Sequence, residues 1–231
     1  MFIFIRKLNK PEMDILQQLA LCIEKGKIDQ RSPYPPDMKG QDGADELTRK
    51  ALHEGISPVD VLNHALVEGM NVVGVRFREN RIFVPEVLMA AKAMSKAMQH
   101  LRPYFQSGQV KRKGTMVIGT VMGDLHDIGK NLVAMIVEGA GWEVIDLGVD
   151  VRSNQFVDAL QKHPGAVVGM SALLTTTMVN MEPIIRDIKS KTPAARVLVG
   201  GAPLNQEFSL KVGADFYSPD PQGAVEYLNS L

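Results

Sequence analysis

Asp124, His126 and Gly129 lie in the stretch GDLHDIGKN at Gly123–Asn131, a D-x-H-x-x-G pattern between an apolar segment and a helix-like one. An imidazole beside a carboxylate is equipped to bind a metal: a neutral ring nitrogen is a good donor, and a carboxylate on the other nitrogen fixes the tautomer and raises basicity. Taken alone, a histidine in such a loop is more often a cap or a hydrogen-bonding group. Its context decides. Counting on from Gly129, 41 residues intervene before Ser171-Ala172-Leu173, and 26 more separate Leu173 from Gly200-Gly201. His53, His64, His100 and His163 have no comparable surroundings and read as surface residues. Gly129-Lys130-Asn131 looks like the end of a phosphate-binding loop. However, Gly123 lies one residue too far upstream and Asn131 stands where Ser or Thr is required. No G-x-G-x-x-G follows the first strand, so neither an ATP nor a dinucleotide site fits.

The elements that must position these motifs form two kinds of pattern. Up to residue 107, apolar positions recur at three- and four-residue steps, as in Ile15, Leu19, Cys22 and in Val59, Leu62, Leu66, Met70, Val73. Ser57-Pro58 predicts an N-cap with a first-turn proline, and Pro85 opens a helix through Val87, Met94 and Met98 to about His100. That is a small bundle of about four helices. The methionines there read as core filling. The stretch 31–43, with three prolines and two glycines, reads as a loop. Residues 108–114 are polar, basic and glycine-flanked, as in a solvated linker. From residue 115 to 231 strands and helices alternate. Strands are expected at Met116–Val121, Glu143–Leu147, Ala166–Met170, Arg196–Val199 and around Phe216-Tyr217. Helices are expected near Ile128–Gly139, Ser153–Lys162 and Met178–Lys191, then a short helix and one from Pro221. The fold class is therefore α/β: a four-helix bundle followed by a five-stranded parallel, doubly wound sheet of flavodoxin or Rossmann-like type. Ligands of such sheets bind outside the carboxyl ends of the strands, where all three motifs converge. Thr175–Thr177 could be a helix N-cap or part of the site.

The three motifs at these gaps resemble the cobalamin-binding signature of the methionine synthase and methyltransferase corrinoid-protein superfamily. Val75–Val87 is similar to the loop-to-helix region of that family's helical cap, so the resemblance spans about residues 44–231. The proline-rich loop departs from the family's compact helix connection. The resemblance implies that the corrinoid's benzimidazole arm leaves the cobalt and enters the sheet domain, with His126 as lower axial ligand. Asp124 would hold the other ring nitrogen, and Thr177 would extend the relay, although Thr175 and Thr176 compete for that part. Ser171 and Leu173 would line the arm's channel, Gly200 and Gly201 would let it pass, and Gly123, Ile128 and Gly129 would touch the ring. Phe77, Val84 and Val87 would cover its upper face. The cofactor would alternate between methylcobalamin and cob(I)alamin, the Asp124–His126 pair taking up a proton when the axial bond is lost.

The implied function is a corrinoid methyl carrier in a multi-component methyltransferase system. The methyl would come from a C1 donor such as methanol, a methylamine, a betaine or an aromatic methyl ether. A substrate-specific methyltransferase would load the cobalt and a second would unload it to tetrahydrofolate or coenzyme M, with a reductive activase as further partner. Catalysis would need those partners, since a helical cap and a corrinoid domain are all that this sequence is expected to hold. The alternatives are the cobalamin subunit of an adenosylcobalamin mutase and a cobalamin-based sensor or regulator. Composition adds exclusions: Lys+Arg and Asp+Glu both number 26, so no overall field favours nucleic acid or an anionic membrane. One cysteine, Cys22, excludes an internal disulfide framework and suits a reducing cytoplasm. The apolar run Met1-Phe2-Ile3-Phe4-Ile5 is too short for a signal h-region or a membrane span.

Overall fold

A computed structural model describes residues 13–231; the apolar run at 1–5 lies outside them. Helix α1 (Ile15–Lys25) starts where Asp14 and Gln17 exchange side chain-to-backbone hydrogen bonds of 2.8 and 3.2 Å, and it stops at Gly26. Leu19, Cys22 and Ile23 form its buried face. Helix α2 (Ala44–His53) follows the proline-rich loop. That loop is packed: Met38 is buried in a single helical turn at Pro36–Met38, and the buried Lys27 donates to the Ser32 carbonyl at 2.9 Å. Helix α3 (Pro58–Val61) begins as its sequence implies, the Ser57 hydroxyl accepting from the Val59 N–H at 3.2 Å. It runs through a π-helical stretch (Leu62–Val67) into α4 (Glu68–Arg78) as one rod.

Helix α5 (Val84–Gln106) has Pro85 in its first turn, but it continues past the expected stop near His100 with Pro103 inside it. A proline there deprives the carbonyl four residues back of its donor, and that residue, Gln99, is exposed, so water can serve instead. The four-helix count is met by α1, α2, the α3–α4 rod and α5. Among the described residues no helix is long and apolar enough to cross a membrane.

The segment after α5 is less free than a solvated linker: Val110 is buried and the Arg112 guanidinium stacks over the Phe105 ring at 4.5 Å. Five strands follow, β1 (Thr115–Thr120), β2 (Glu143–Asp146), β3 (Val167–Ser171), β4 (Val197–Gly200) and β5 (Phe216–Ser218), all parallel in the order β2-β1-β3-β4-β5. Between them run α6 (Ile128–Gly139), α7 (Ser153–Lys162), α8 (Thr175–Met178), α9 (Met181–Lys191) and α10 (Gln206–Lys211), and α11 (Pro221–Asn229) closes the chain. The helix expected over Met178–Lys191 forms as α9 from Met181, with the short α8 as a separate turn before it; between them the Asn180 side-chain amide donates to the Met122 carbonyl at 2.8 Å. The sheet is wound on both faces. Val117, Val168 and Val199 pack with Phe156 and Ile184 of α7 and α9, while Met116, Ile118 and Leu198 join a core shared with α6, α11 and the helical bundle. Strand order reverses between β1 and β3, and the crevice at such a switch point is where sheets of this type hold ligands.

Candidate functional site

The loop after β1 occupies that crevice. Gly123 turns it with φ 83°, a left-handed backbone that suits glycine, and places Asp124 beneath the tips of β1 and β3. Asp124 is 0% exposed, a burial that an unpaired carboxylate would not survive. It is fully engaged: Oδ1 lies 2.7 Å from His126 Nδ1 and accepts the His126 N–H at 3.1 Å. Oδ2 accepts the Thr177 hydroxyl at 2.6 Å, the Leu173 N–H at 2.8 Å and the Leu174 N–H at 3.4 Å. Burial pushes the carboxyl's pKa up. The bonds from Thr177, Leu173 and His126 outweigh that and hold it well below the usual carboxylate range. Asp124 is therefore an anion, and Nδ1 of His126 is the nitrogen that carries the proton toward it. The other nitrogen, Nε2, has no hydrogen-bond partner among the described residues, and the ring is half exposed.

Beside His126 opens a cavity of about 660 Å³ that runs over the β1, β3, β4 and β5 strand ends and down between the sheet and α6. Of the residues singled out in the sequence, His126, Ile128, Gly129, Ser171, Leu173, Gly200, Gly201 and Phe77 line it. Asp124 and Thr177 sit behind the histidine in a hydrogen-bonded chain. Thr177, rather than Thr175 or Thr176, makes the bond, and no side chain caps α8. Gly123, Val84 and Val87 do not line the cavity. Gly123 faces Thr177 and Asp150, Val87 is buried in the helical core, and Val84 packs against that core.

The glycines have different reasons. A Cβ on Gly201, at φ 138°, would lie 1.9 Å from the Ala172 carbonyl oxygen, so this glycine serves the close approach of two strand tips. A Cβ on Gly129 would meet nothing within 4 Å, so the space over it is open. Around the histidine the surface is apolar, with Leu125 72% and Ile128 68% exposed.

Several residues of the site escaped the sequence reading. Leu125 lines the cavity beside the histidine, the Leu174 N–H reaches Asp124, Asp150 braces the loop, and Gly169, whose missing Cβ makes room for the end of Met116, lines the slot with Ile118 and Leu198. A glycine inside an otherwise apolar strand is a sign of close approach, which at Gly169 is that of the Met116 side chain beside the slot. Lys130 also lines the cavity; its ammonium donates to Asn131 at 2.7 Å and pairs with Asp146, which ties the first turn of α6 to β2 rather than to a phosphate.

Comparison with known proteins adds the following. A family described as the B12 binding domain matches residues 114–225, and a second family of the same description matches residues 41–102. A corrinoid protein of Desulfitobacterium hafniense is 39% identical over 191 residues, covering 80% of this chain and 88% of its own length. The trimethylamine corrinoid protein of Methanosarcina barkeri is 40% identical over 186 residues, covering 79% and 86%. Among solved structures, a chain of the methanol:cobalamin methyltransferase complex MtaBC from Methanosarcina barkeri matches with a TM-score of 0.78 at 29% identity, over 95% of this chain and 80% of that one. A cobalamin-binding protein from Desulfitobacterium hafniense matches with a TM-score of 0.71 at 27% identity, over 94% and 98%.

Proposed function

Because this chain belongs to the corrinoid proteins built on B12-binding domains, with cobalamin as cofactor, we propose that it carries methyl groups between a C1 donor and an acceptor. Its partners would be a methyltransferase that recognises the donor, a second one that delivers to tetrahydrofolate or coenzyme M, and a reductive activase. The donor falls within the methylamine and methanol class by likeness to the relatives' names. A cytoplasmic location, argued from the single cysteine, belongs to the same proposal, as does a division of the chain at residues 108–114.

The single observation that supports this reading best is the Asp124–His126–Thr177 chain, which leaves one ring nitrogen of His126 without a partner on the lip of a deep slot. The residues present fit the cofactor. Exposed Leu125 and Ile128 and the open space above Gly129 suit a broad, largely apolar ring, and the slot past Ser171, Gly169 and Leu198 suits an extended arm. The bound corrinoid supplies a cobalt that accepts and gives up a methyl group. His126 would offer Nε2 to that metal, and Asp124, anionic and fixed by Thr177 and Leu173, would hold the tautomer and keep the imidazole basic. The same carboxylate would keep the proton of His126 on Nδ1 and leave Nε2 as the donor atom. Ser171 would offer its hydroxyl to the arm. Phe77, on α4, would cover the ring from the helical side, and it must move for a partner to reach the metal.

The test is transfer of label. The protein, loaded with cobalamin and reduced without oxygen, is given isotopically methyl-labelled methylamines or methanol with source-cell extract, then separated from small molecules. Label retained with one donor class supports the carrier role and names the donor. Stable cofactor binding with no label from any donor would contradict it.

A further inference from the structure

The loop bearing His126 is braced from a second side by Asp150. This residue follows β2 and holds φ 53°, one of two non-glycine residues with positive φ among the described residues. Such a backbone costs a non-glycine residue free energy and persists where other contacts impose it, most often at functional sites. The contacts are specific. Gly123 N–H donates to Asp150 Oδ1 at 2.7 Å, and Asp150 N–H donates to the Asp124 carbonyl at 3.0 Å. Asp150 thus grips the two residues just before the turn to His126, one through its carboxylate and one through its backbone. Its own position is set by Val151, whose N–H donates to the Thr120 carbonyl at 2.9 Å where Val121 and Val151 bridge.

The two sides of the grip act on different atoms of the loop. Thr177 and Leu173 hydrogen-bond the Asp124 carboxylate, but neither hydrogen-bonds the backbone of 123–124, although the Thr177 methyl faces Gly123. The Asp124 N–H donates to the Val121 carbonyl at 3.0 Å and the Thr120 hydroxyl to the His126 carbonyl at 2.9 Å, but among the described residues the Gly123 N–H and the Asp124 carbonyl are bonded by Asp150 alone, so without it the 123–124 segment could tilt and carry the imidazole with it. A glycine at 150 would satisfy the left-handed backbone at no steric cost, yet the sequence places a carboxylate there. Backbone geometry alone does not call for it; the Gly123 N–H does.

We propose that Asp150 is a positioning residue that aims His126 at the cobalt. The proposal rests on the axial-ligand role given to His126 above. The experiment compares Asp150→Asn and Asp150→Gly in cobalamin-loaded protein, reading the fraction of cobalt(II) cofactor that shows histidine-nitrogen coupling by electron paramagnetic resonance. Asparagine tolerates positive φ and keeps an oxygen acceptor, whereas glycine relieves the backbone and removes the acceptor. Asp150→Asn is expected to keep the unaltered protein's fraction. Asp150→Gly is expected to lower the ratio of ligated to unligated cofactor by about tenfold, the low end of the effect of groups that orient metal ligands. Full coupling in Asp150→Gly, or equal loss in both variants, would overturn the proposal while leaving the ligand role of His126 intact. Absence of coupling in the unaltered protein would overturn that role and, with it, the proposal.

Discussion

At the scale of single residues the molecule concentrates its polar chemistry on one buried carboxylate. Asp124 is out of water and accepts from a hydroxyl, backbone N–H groups and an imidazole, so removing any one donor leaves a charged group less well held. Thr177→Val keeps the shape and deletes the 2.6 Å bond to Asp124. Hydrogen bonds to charged groups contribute about 1.5–3 kcal/mol, so denaturant unfolding of the apo-protein should show a loss of that size, largely restored in Thr177→Ser. Cys22 gives a prediction of pH dependence. Burial pushes its thiol from an ordinary 9.0 up to about 12, with the Lys27 charge opposing and Asp42 and Glu46 reinforcing the rise. A group whose folded pKa is raised contributes stability that is intact below the unfolded value and lost as pH rises toward the folded one. Stability should therefore fall from pH 9 upward more steeply in the unaltered protein than in Cys22→Ala, as measured by denaturant titrations at several alkaline pH values.

At the scale of elements, periodicity was a good guide to which residues are buried and a poor one to what they are buried against. The strands and most helices lie within a few residues of their expected places because valine-rich runs and cap signals are local. Pro103 inside α5 and the break at Asn180 were hidden, since each depends on an exposed carbonyl or on a partner far away in sequence. The same limit explains the site. The three motifs meet because strand ends converge, which follows from topology. Val87, by contrast, lies on the face of α5 that packs into the helical core, and no spacing on one helix reveals which neighbour it meets. Asp150 carried no local signal, as its contacts are to residues 26 and 27 positions upstream. Gly129 offers a clean separation of packing from binding. Its Cβ position is empty and it lies in the first turn of α6, so Gly129→Ala should leave the apo-protein as stable or up to about 1 kcal/mol more stable. The same methyl points into the space assigned to the cofactor, so titration with cobalamin should show weakened binding. Unchanged affinity would place the ring elsewhere.

At the scale of the whole molecule, the helical bundle and the sheet share one apolar core. Met70 of α4 packs on Gly139 of α6, and Gly74 lets Gln222 of α11 approach until a Cβ there would be 2.0 Å from its Oε1. Arg78 then ties α4 to α11, at 2.9 Å from its cap Asp220 and 2.8 Å from Glu226 further along it. These ion pairs are partly exposed and individually modest, so the shared core sets the association. Calorimetry of the apo-protein should accordingly give one unfolding transition; two well-separated ones would mean that the halves are stable apart. The same core holds Phe77 at the wall of the cavity.

Whether His126 ligates the cobalt is read most directly from the cobalt(II) resonance spectrum of cobalamin bound to protein whose histidines carry the heavy nitrogen isotope. With His126 as ligand, the nitrogen splitting changes from a triplet to a doublet on labelling and disappears in His126→Gln with the cofactor still bound. A triplet that persists in labelled protein would show that the axial nitrogen belongs to the cofactor's own base, and would contradict ligation by His126.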